Sequence, residues 1–249
     1  IKGTVEMALP GTTMAQYYPL DGGFSCPFLF RDWDHFSKCV EAGLVEDLYG
    51  AMPEELGVRA LGAIPSGFRV VMSRDKIESM EDFEGLRLRV PNIQVYLMIA
   101  KGLGTNPISL NLSELFPALE QKAVDACENT YATLYTSSYY EVIPNIVETN
   151  HIFNVVTLLI NEEFYQSLSA EQQAMIQECA DEAIAKGVED AMAAEEEYKD
   201  MMREKGVTIV TPEGEFREQI VASQDEARED FFNTYPGTRE IAEKYAQIQ

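Results

Sequence analysis

The 249-residue chain is poor in cations, histidine and tryptophan: 19 Lys and Arg stand against 42 Asp and Glu, with two histidines and one tryptophan. A formal net charge of −23 excludes a general phosphate-backbone binder, which needs clustered cations to displace counterions. Nucleic acid and anionic membrane surfaces are excluded with it. No apolar run approaches the roughly 18 residues of a membrane span, so none is expected. A basic, then apolar, then small-residue leader is missing too; Ile1 opens a strand-like segment, and the true start of the protein is expected upstream. The four cysteines, Cys26, Cys39, Cys127 and Cys179, lack CxxC or Cys/His spacing, so no zinc site is expected. Cys26 and Cys39 flank a short segment and either pair in an oxidising compartment or remain buried thiols. Catalytic signatures are absent: there is no GxSxG, P-loop, GxGxxG after a strand or HExxH. With only His35 and His151, far apart in the chain, nucleophilic catalysis has little to stand on, although 42 acids always furnish carboxylate pairs.

What is present indicates a globular chain. Hydrophobic residues make up 46% and aromatics 10%, and a chain of this size buries about 73% of its unfolded surface, ample for one large domain or two lobes. Phe68-Arg-Val-Val-Met72, Leu86-Arg-Leu-Arg-Val90, Val124-Asp-Ala126, Val155-Val-Thr-Leu-Leu-Ile160 and Val207-Thr-Ile-Val210 read as strands bounded by Gly, Pro or polar residues. Helical spacing separates several of them, as in Val95, Met98, Ile99 and Leu103, closed by Gly104. Alternating strands and helices predict α/β layers with mostly parallel sheets. The longest helix is predicted to start at Ser169, where Ser-Ala-Glu-Gln172 forms a capping box, and to end at Gly206. Its inward stripe is Ile176, Ala180, Ala183, Val188, Ala191, Tyr198 and Met202. Residues 162–205 hold 13 acids and 4 bases, read as a solvated helix face in preference to a docking surface for a basic partner. Residues 67–101 hold 6 bases and 5 acids, the near-neutral strip of an acidic protein.

Candidate binding residues follow from that strip. In 86–90, Leu86, Leu88 and Val90 face the core and Arg87 and Arg89 face away from it. Pro91 stops the ladder, so Arg89 sits at the carboxyl end of a strand, where open α/β sheets bind ligands. Asn92 is placed to N-cap the next helix. Arg69 follows Ser66-Gly-Phe, where glycine permits close backbone approach. Asn129 is read in a polar turn after a strand, as an amide donor or as turn chemistry. His151 is read first as a satisfied, partly buried imidazole, and His35 as loop or helix-start composition. Tyr96, Tyr131 and Tyr135 line a pocket or pack in the core.

The run Gly85-Leu-Arg-Leu-Arg-Val-Pro91, then Gly104 and Pro107, Leu112-Ser-Glu-Leu-Phe-Pro-Ala-Leu119, Val124-Asp-Ala-Cys-Glu-Asn129, Tyr140-Glu-Val142 and Asn150-His151 resembles the solute-binding subunit of tripartite ATP-independent periplasmic (TRAP) transporters, the DctP type. Gly3 to Met7 resembles the strand before that family's first cleft loop, and Pro27-Phe-Leu-Phe30 extends the match. The resemblance implies a two-lobed periplasmic binding-protein fold, type II-like, with mixed sheets, a hinge and a long lobe-bridging helix. Residues 1–66 and 155–194 would form lobe one, and 67–154 and 195–249 lobe two. It implies that Arg89 holds the ligand carboxylate in a bidentate salt bridge, with Arg69 and Asn129 as further contacts on the carboxylate side and Asn92 touching the ligand. Glu128 and His151 match a pair that holds water beside the Arg69 position. Leu112 stands where an aromatic often covers the ligand, and Cys127 departs from the usual Asp-Gly-Gln-Glu-Asn run. The family's opening strand, helix and strand have no counterpart here, so the 249 residues are expected to be a partial chain.

Implied partners are a small carboxylate-containing ligand and the TRAP membrane permease. No cofactor or metal is implied, and the location is periplasmic, or extracellular and membrane-tethered in a bacterium lacking an outer membrane. Two other readings stand beside this transport protein: an α/β enzyme acting on an anionic metabolite, and an acidic interaction protein whose long helix is the functional face. The net charge does not forbid an anionic ligand, because charges beyond about 8 Å are screened at physiological salt.

Overall fold

The computed structural model describes residues 4–249, and of residues 11–13 the backbone only. Ile1 and Gly3 lie outside the described residues; of the strand expected from Gly3 to Met7, residues 4–6 form bends and only Met7 is in a strand, β1 (Met7–Ala8). Three short helices follow, α1 (Trp33–Glu41), α2 (Leu44–Tyr49) and α3 (Met52–Leu56), and lead into the 16-residue strand β2, Val58–Ser73. Then come β3 (Arg87–Val90), α4 (Gln94–Gly102), β4 (Asn106–Ser109), α5 (Leu112–Glu120), β5 (Ala126–Thr130), α6 (Tyr131–Thr136) and β6 (Asn145–Val147). The chain continues through β7 (Phe153–Asn161), α7 (Glu162–Ser167), α8 (Ala170–Glu204) and β8 (Thr208–Val210). It finishes with α9 (Gly214–Ala222), α10 (Asp225–Thr234) and α11 (Thr238–Ala246).

β2 belongs to two sheets. Up to Phe68 it pairs antiparallel with β7, whose other edge takes β1. From Arg69 it pairs with β5 on one side and β6 on the other, again antiparallel. Parallel pairing is confined to β3 with β4 and β5, and to β6 with β8. The expectation of mostly parallel sheets is therefore corrected. The chain passes between sheets along β2 and is met there by β7 running the opposite way, so the pairing at the crossover is antiparallel, whereas α4 and α5 serve as the crossovers parallel strands need.

The expected strand at 124–126 begins only at Ala126 and runs to Thr130, so Asn129 is a strand residue, not part of a turn. Helix α4 closes as expected, with Gly104 at φ +84°. Its N-cap, however, is Ile93, without a side-chain hydrogen bond, and Asn92 is exposed one residue earlier. The turn after Pro91 contains one residue more than an Asn cap would require.

Helix α8 starts at the predicted capping box. Ser169 Oγ accepts the Gln172 N–H at 3.2 Å and Gln172 Oε1 accepts the Ser169 N–H at 2.9 Å. Lys205 ends it and Gly206 follows at φ +81°. Ala183 is exposed, contrary to the expected stripe; Ile184 packs instead, on Leu61 and Ile160. At 3.6 residues per turn the apolar stripe drifts around the helix, and position 184 carries the bulk that meets Gly62, where an added Cβ would lie 2.2 Å from Ile184 Cδ1.

The largest core gathers aromatics where β7 begins: Phe153 lies 4.8 Å from both Trp33 and Phe68 and 5.6 Å from Phe30, ring to ring. All four thiols are free, so the Cys26–Cys39 pairing is not formed. Cys39 lies on the face of α1 that carries His35, 3.5 Å from its Nε2, and burial pushes the Cys26 thiol up to about 12. Helix α10 packs on α4 while α11 returns to α2, where Tyr245 Oη donates to Asp47 Oδ2 at 2.7 Å. Among the described residues no helix is long and apolar enough to cross a membrane. Ser169→Ala removes one half of the reciprocal cap on the longest helix; it is expected to cost about 1 kcal/mol of unfolding free energy, read as a lowered urea midpoint.

Candidate ligand-binding site

Strand β3 carries two arginines on one face, and their neighbours give them different fates. Arg87, at the strand's start, is paired with Asp125 at 2.6 and 2.8 Å near the surface. Arg89 is only 3% exposed. Its face is buried rather than open, contrary to the expectation from alternation: Cys127, in register with it, and Met72 beyond belong to a second core under α5 and α6. Both faces of this sheet are covered, so alternation in β3 separates two interiors. Arg89 donates from Nε at 2.9 Å and from Nη2 at 2.5 Å to the Leu110 carbonyl. Burial lowers its pKa, opposed by the nearby Glu128 carboxylate.

Arg69 occupies the other face, in register with Thr130 and on the same side as Glu128 two residues earlier. Its Nε and Nη2 donate to the two Glu128 carboxylate oxygens at 2.5 and 2.8 Å. Nη1 reaches Asn154 Oδ1 at 3.1 Å, and the guanidinium lies 4.8 Å over the Tyr96 ring. Burial works against both charges, yet Glu128 holds the arginine above its usual pKa and Arg69 holds Glu128 below its own. His151, 1% exposed, is 3.4 Å from Glu128 through Nε2 and 2.7 Å from Thr149 Oγ1 through Nδ1. Arg69, Glu128 and His151 thus form one closed network.

Of the two buried arginines among the described residues, then, one is neutralised and one is not. Arg89 has no carboxylate in salt-bridge range, and its Nη1 has no hydrogen-bond partner among the described residues. Asn129 is on the Arg89 face, in register with Val70; its Oδ1 accepts the Thr130 N–H at 2.9 Å, leaving the NH2 end as donor. Asn92 and Leu112 are exposed at the carboxyl ends of β3 and β4, Leu112 two residues beyond the carbonyl that holds Arg89. Sequence reasoning grouped Arg69 with Arg89; the sheet separates them onto opposite faces. It missed Asn154 and Ser66, which are joined to each other at 2.5 Å, and the Leu110 carbonyl. The only signal for Asn154 is a polar residue interrupting the apolar run Ile152-Phe-Asn-Val-Val156. Tyr96 is part of the Arg69 network, whereas Tyr131 donates to Glu148 and Tyr135 packs on Tyr140 and Tyr198.

Arg89 is thus a buried cation at the carboxyl end of a parallel strand, the end at which open α/β sheets bind ligands. Residues 1–234 match the model of the bacterial extracellular solute-binding protein family 7, DctP, and the chain belongs to that family of TRAP solute-binding proteins. A Haemophilus influenzae protein is 33% identical over 242 residues, 97% of this chain and 74% of its own length. The sialic acid-binding periplasmic protein SiaP of Vibrio cholerae is 31% identical over 208 residues, 83% of this chain and 65% of its own length. Among solved structures, a TRAP periplasmic solute-binding protein of Haemophilus influenzae with bound L-gulonate superposes with TM-score 0.92 at 32% identity, covering 99% of this chain and 81% of that one. The fold is the two-lobed one of these proteins.

Burial holds His151 below its usual 6.5, so below that pH the unfolded chain takes up a proton that the folded site resists. The stability contributed is present above pH 6.5 and is lost as pH falls. Asp21, raised to about 6 by burial, acts with the opposite sign, losing its contribution as pH rises through that value. His151→Gln is therefore expected to flatten the fall in stability on acidification below pH 6.5 in urea titrations run beside the wild type, with Asp21 common to both; parallel profiles would contradict it.

Proposed function

We propose that the chain captures a small organic acid in the cleft between two lobes, by an ion pair between the ligand carboxylate and Arg89, and delivers it from the periplasm to the TRAP membrane permease. The observation that carries this reading is the buried Arg89 guanidinium without a protein carboxylate. An ionised side chain out of water demands a counter-charge, and a carboxylate about 4 Å away gains on the order of 4 kcal/mol at an effective dielectric near 20. With Nε and Nη2 directed at Leu110, the Nη1 side of the fork receives the ligand, and the Asn129 amide donates from the next strand. Asn92 and Leu112 border the same strand ends and contact the rest of the molecule. Arg69, Glu128 and His151 support the site from the opposite face of the sheet, and Arg69 does not bind the carboxylate while Glu128 holds it.

The ligand class proposed is a six-carbon sugar acid. Support comes from relatives: the Haemophilus influenzae structure holds L-gulonate, one from Advenella mimigardefordensis holds galactonate, and YiaO of Escherichia coli is a 2,3-diketo-L-gulonate-binding protein. Lobe one takes residues 1–66 and 155–194 and lobe two 67–154 and 195–249, closing about the crossover of β2 and β7. The ligand leaves chemically unchanged.

Calorimetric titration with L-gulonate, D-galactonate and D-glucuronate tests the reading. Arg89→Lys, which keeps the charge and loses the planar fork, is expected to weaken binding by about 1.5 to 3 kcal/mol, roughly 10- to 150-fold in Kd. Unchanged affinity in a folded variant would overturn the assignment.

A further inference from the structure

Lys199, near the end of α8, has a side chain only 15% exposed between two carboxylates exposed to 11 and 12%. Its Nζ lies 3.2 Å from Glu148 Oε1, 3.4 Å from Glu195 Oε1 and 3.0 Å from the exposed Glu196, and 5.3 Å over the Tyr131 ring. Each buried carboxylate reaches further. Glu148, just past β6, accepts from Tyr131 Oη at 2.9 Å and Thr211 Oγ1 at 2.6 Å. Glu195 Oε2 accepts the backbone N–H of Phe68 at 3.2 Å.

Phe68 is the last residue of β2 paired with β7, and Arg69 is the first paired with β5. The helix therefore grips β2 at the peptide where it changes sheets. Gly67 is fitted to that grip: it sits at φ +94°, and a Cβ there would lie 2.4 Å from Glu195 Oε2. Earlier turns of α8 bind the first sheet, Gln177 Nε2 donating to the Leu61 carbonyl at 2.9 Å. Later turns insert Tyr198 and Met202 into the core of the second. The turn from Glu195 to Lys199 spans the two.

We propose that Lys199 is a positioning residue for the ligand site: by bridging Glu195 and Glu148 it clasps α8, the β2 crossover and the end of β6, and so fixes the backbone from which Arg69 and its network project. Two buried carboxylates sharing one cation lose their common partner when it is removed, and their repulsion and rehydration pull the clasp open. The consequence for ligand affinity rests on the binding function proposed above; the consequence for the crossover does not.

Amide exchange read by mass spectrometry on the ligand-free protein tests the clasp. In Lys199→Met, exchange of the peptide covering residues 66–69 is expected to quicken about tenfold while peptides from α5 and α11 keep wild-type rates. Lys199→Arg is expected to restore it, and Kd for L-gulonate should weaken about tenfold in the Met variant and recover in the Arg variant. Should the Met variant fail to fold, Glu148→Gln, which retains an acceptor for Tyr131, is expected to give the same local change at smaller amplitude. Unaltered exchange at 66–69, an increase spread evenly over the chain, or unchanged Kd in a loosened variant would overturn the proposal. Failure of the wild type to bind any sugar acid would overturn the proposed function instead, with the exchange arm still deciding the clasp.

Discussion

The Arg69–Glu128 ion pair sits at the crossover of the two sheets, and the remaining polar groups of the site are arranged around it. Taking an arginine and a glutamate out of water costs several kcal/mol for each ion, and the pair is tolerable only if its geometry is good and its other donors and acceptors are satisfied. Both conditions are met. Two parallel hydrogen bonds join the charges, Asn154 takes Nη1, and His151 approaches the second side of the carboxylate. The register of β2 with β5 and β7 is thereby fixed by charge as well as by apolar pattern. A slip of one residue would turn both ions to the wrong face.

That neutralisation gives Arg89 its meaning. Glu128 could have served either buried arginine by distance along the chain, but β5 presents its carboxylate to the Arg69 face. Arg89 is left with a backbone carbonyl, a partial charge that orients the guanidinium without compensating it. The binding site proposed above is a charge left without a protein carboxylate, next to one that has its own. The acidity of the chain does not fill this gap, because among the described residues none of its carboxylates forms a salt bridge with Arg89, and many are solvated on α8 or held in surface ion pairs such as Lys186 with Glu189 and Asp190, where charges beyond about 8 Å are screened.

Helix α8 completes the arrangement from the other side of the crossover. Its length follows from a strong cap at Ser169 and from the absence of proline before Gly206, Gly187 being accommodated within it where it packs against Ile64, and that length lets one rigid element touch both sheets. Its polar residues at 195 and 199 meet β2 and β6 where the apolar stripe is interrupted, so the helix holds the junction by charge while its flanking turns hold each sheet by packing.

Local chemistry in the sequence determined the strands around 68–72, 86–90, 155–160 and 207–210, the glycine closure of α4 and the cap of α8, the place of Arg89 at a strand's end, and the motif order that matches the family. These are properties of neighbours in the chain: alternation, a proline that ends a ladder, a serine that accepts its own helix's N–H. Only the tertiary structure decided that Asn129 is a strand residue, that Asn92 is not a cap, that Cys26 and Cys39 stay apart, and that Arg69 and Arg89 lie on opposite faces of one sheet. Each of these depends on which distant strand becomes a neighbour. The spacing of Arg69 from Glu128, or of Phe68 from Glu195, carries no trace of that choice, because strand pairing and helix packing bring together residues whose separation along the chain is unrelated to their separation in space.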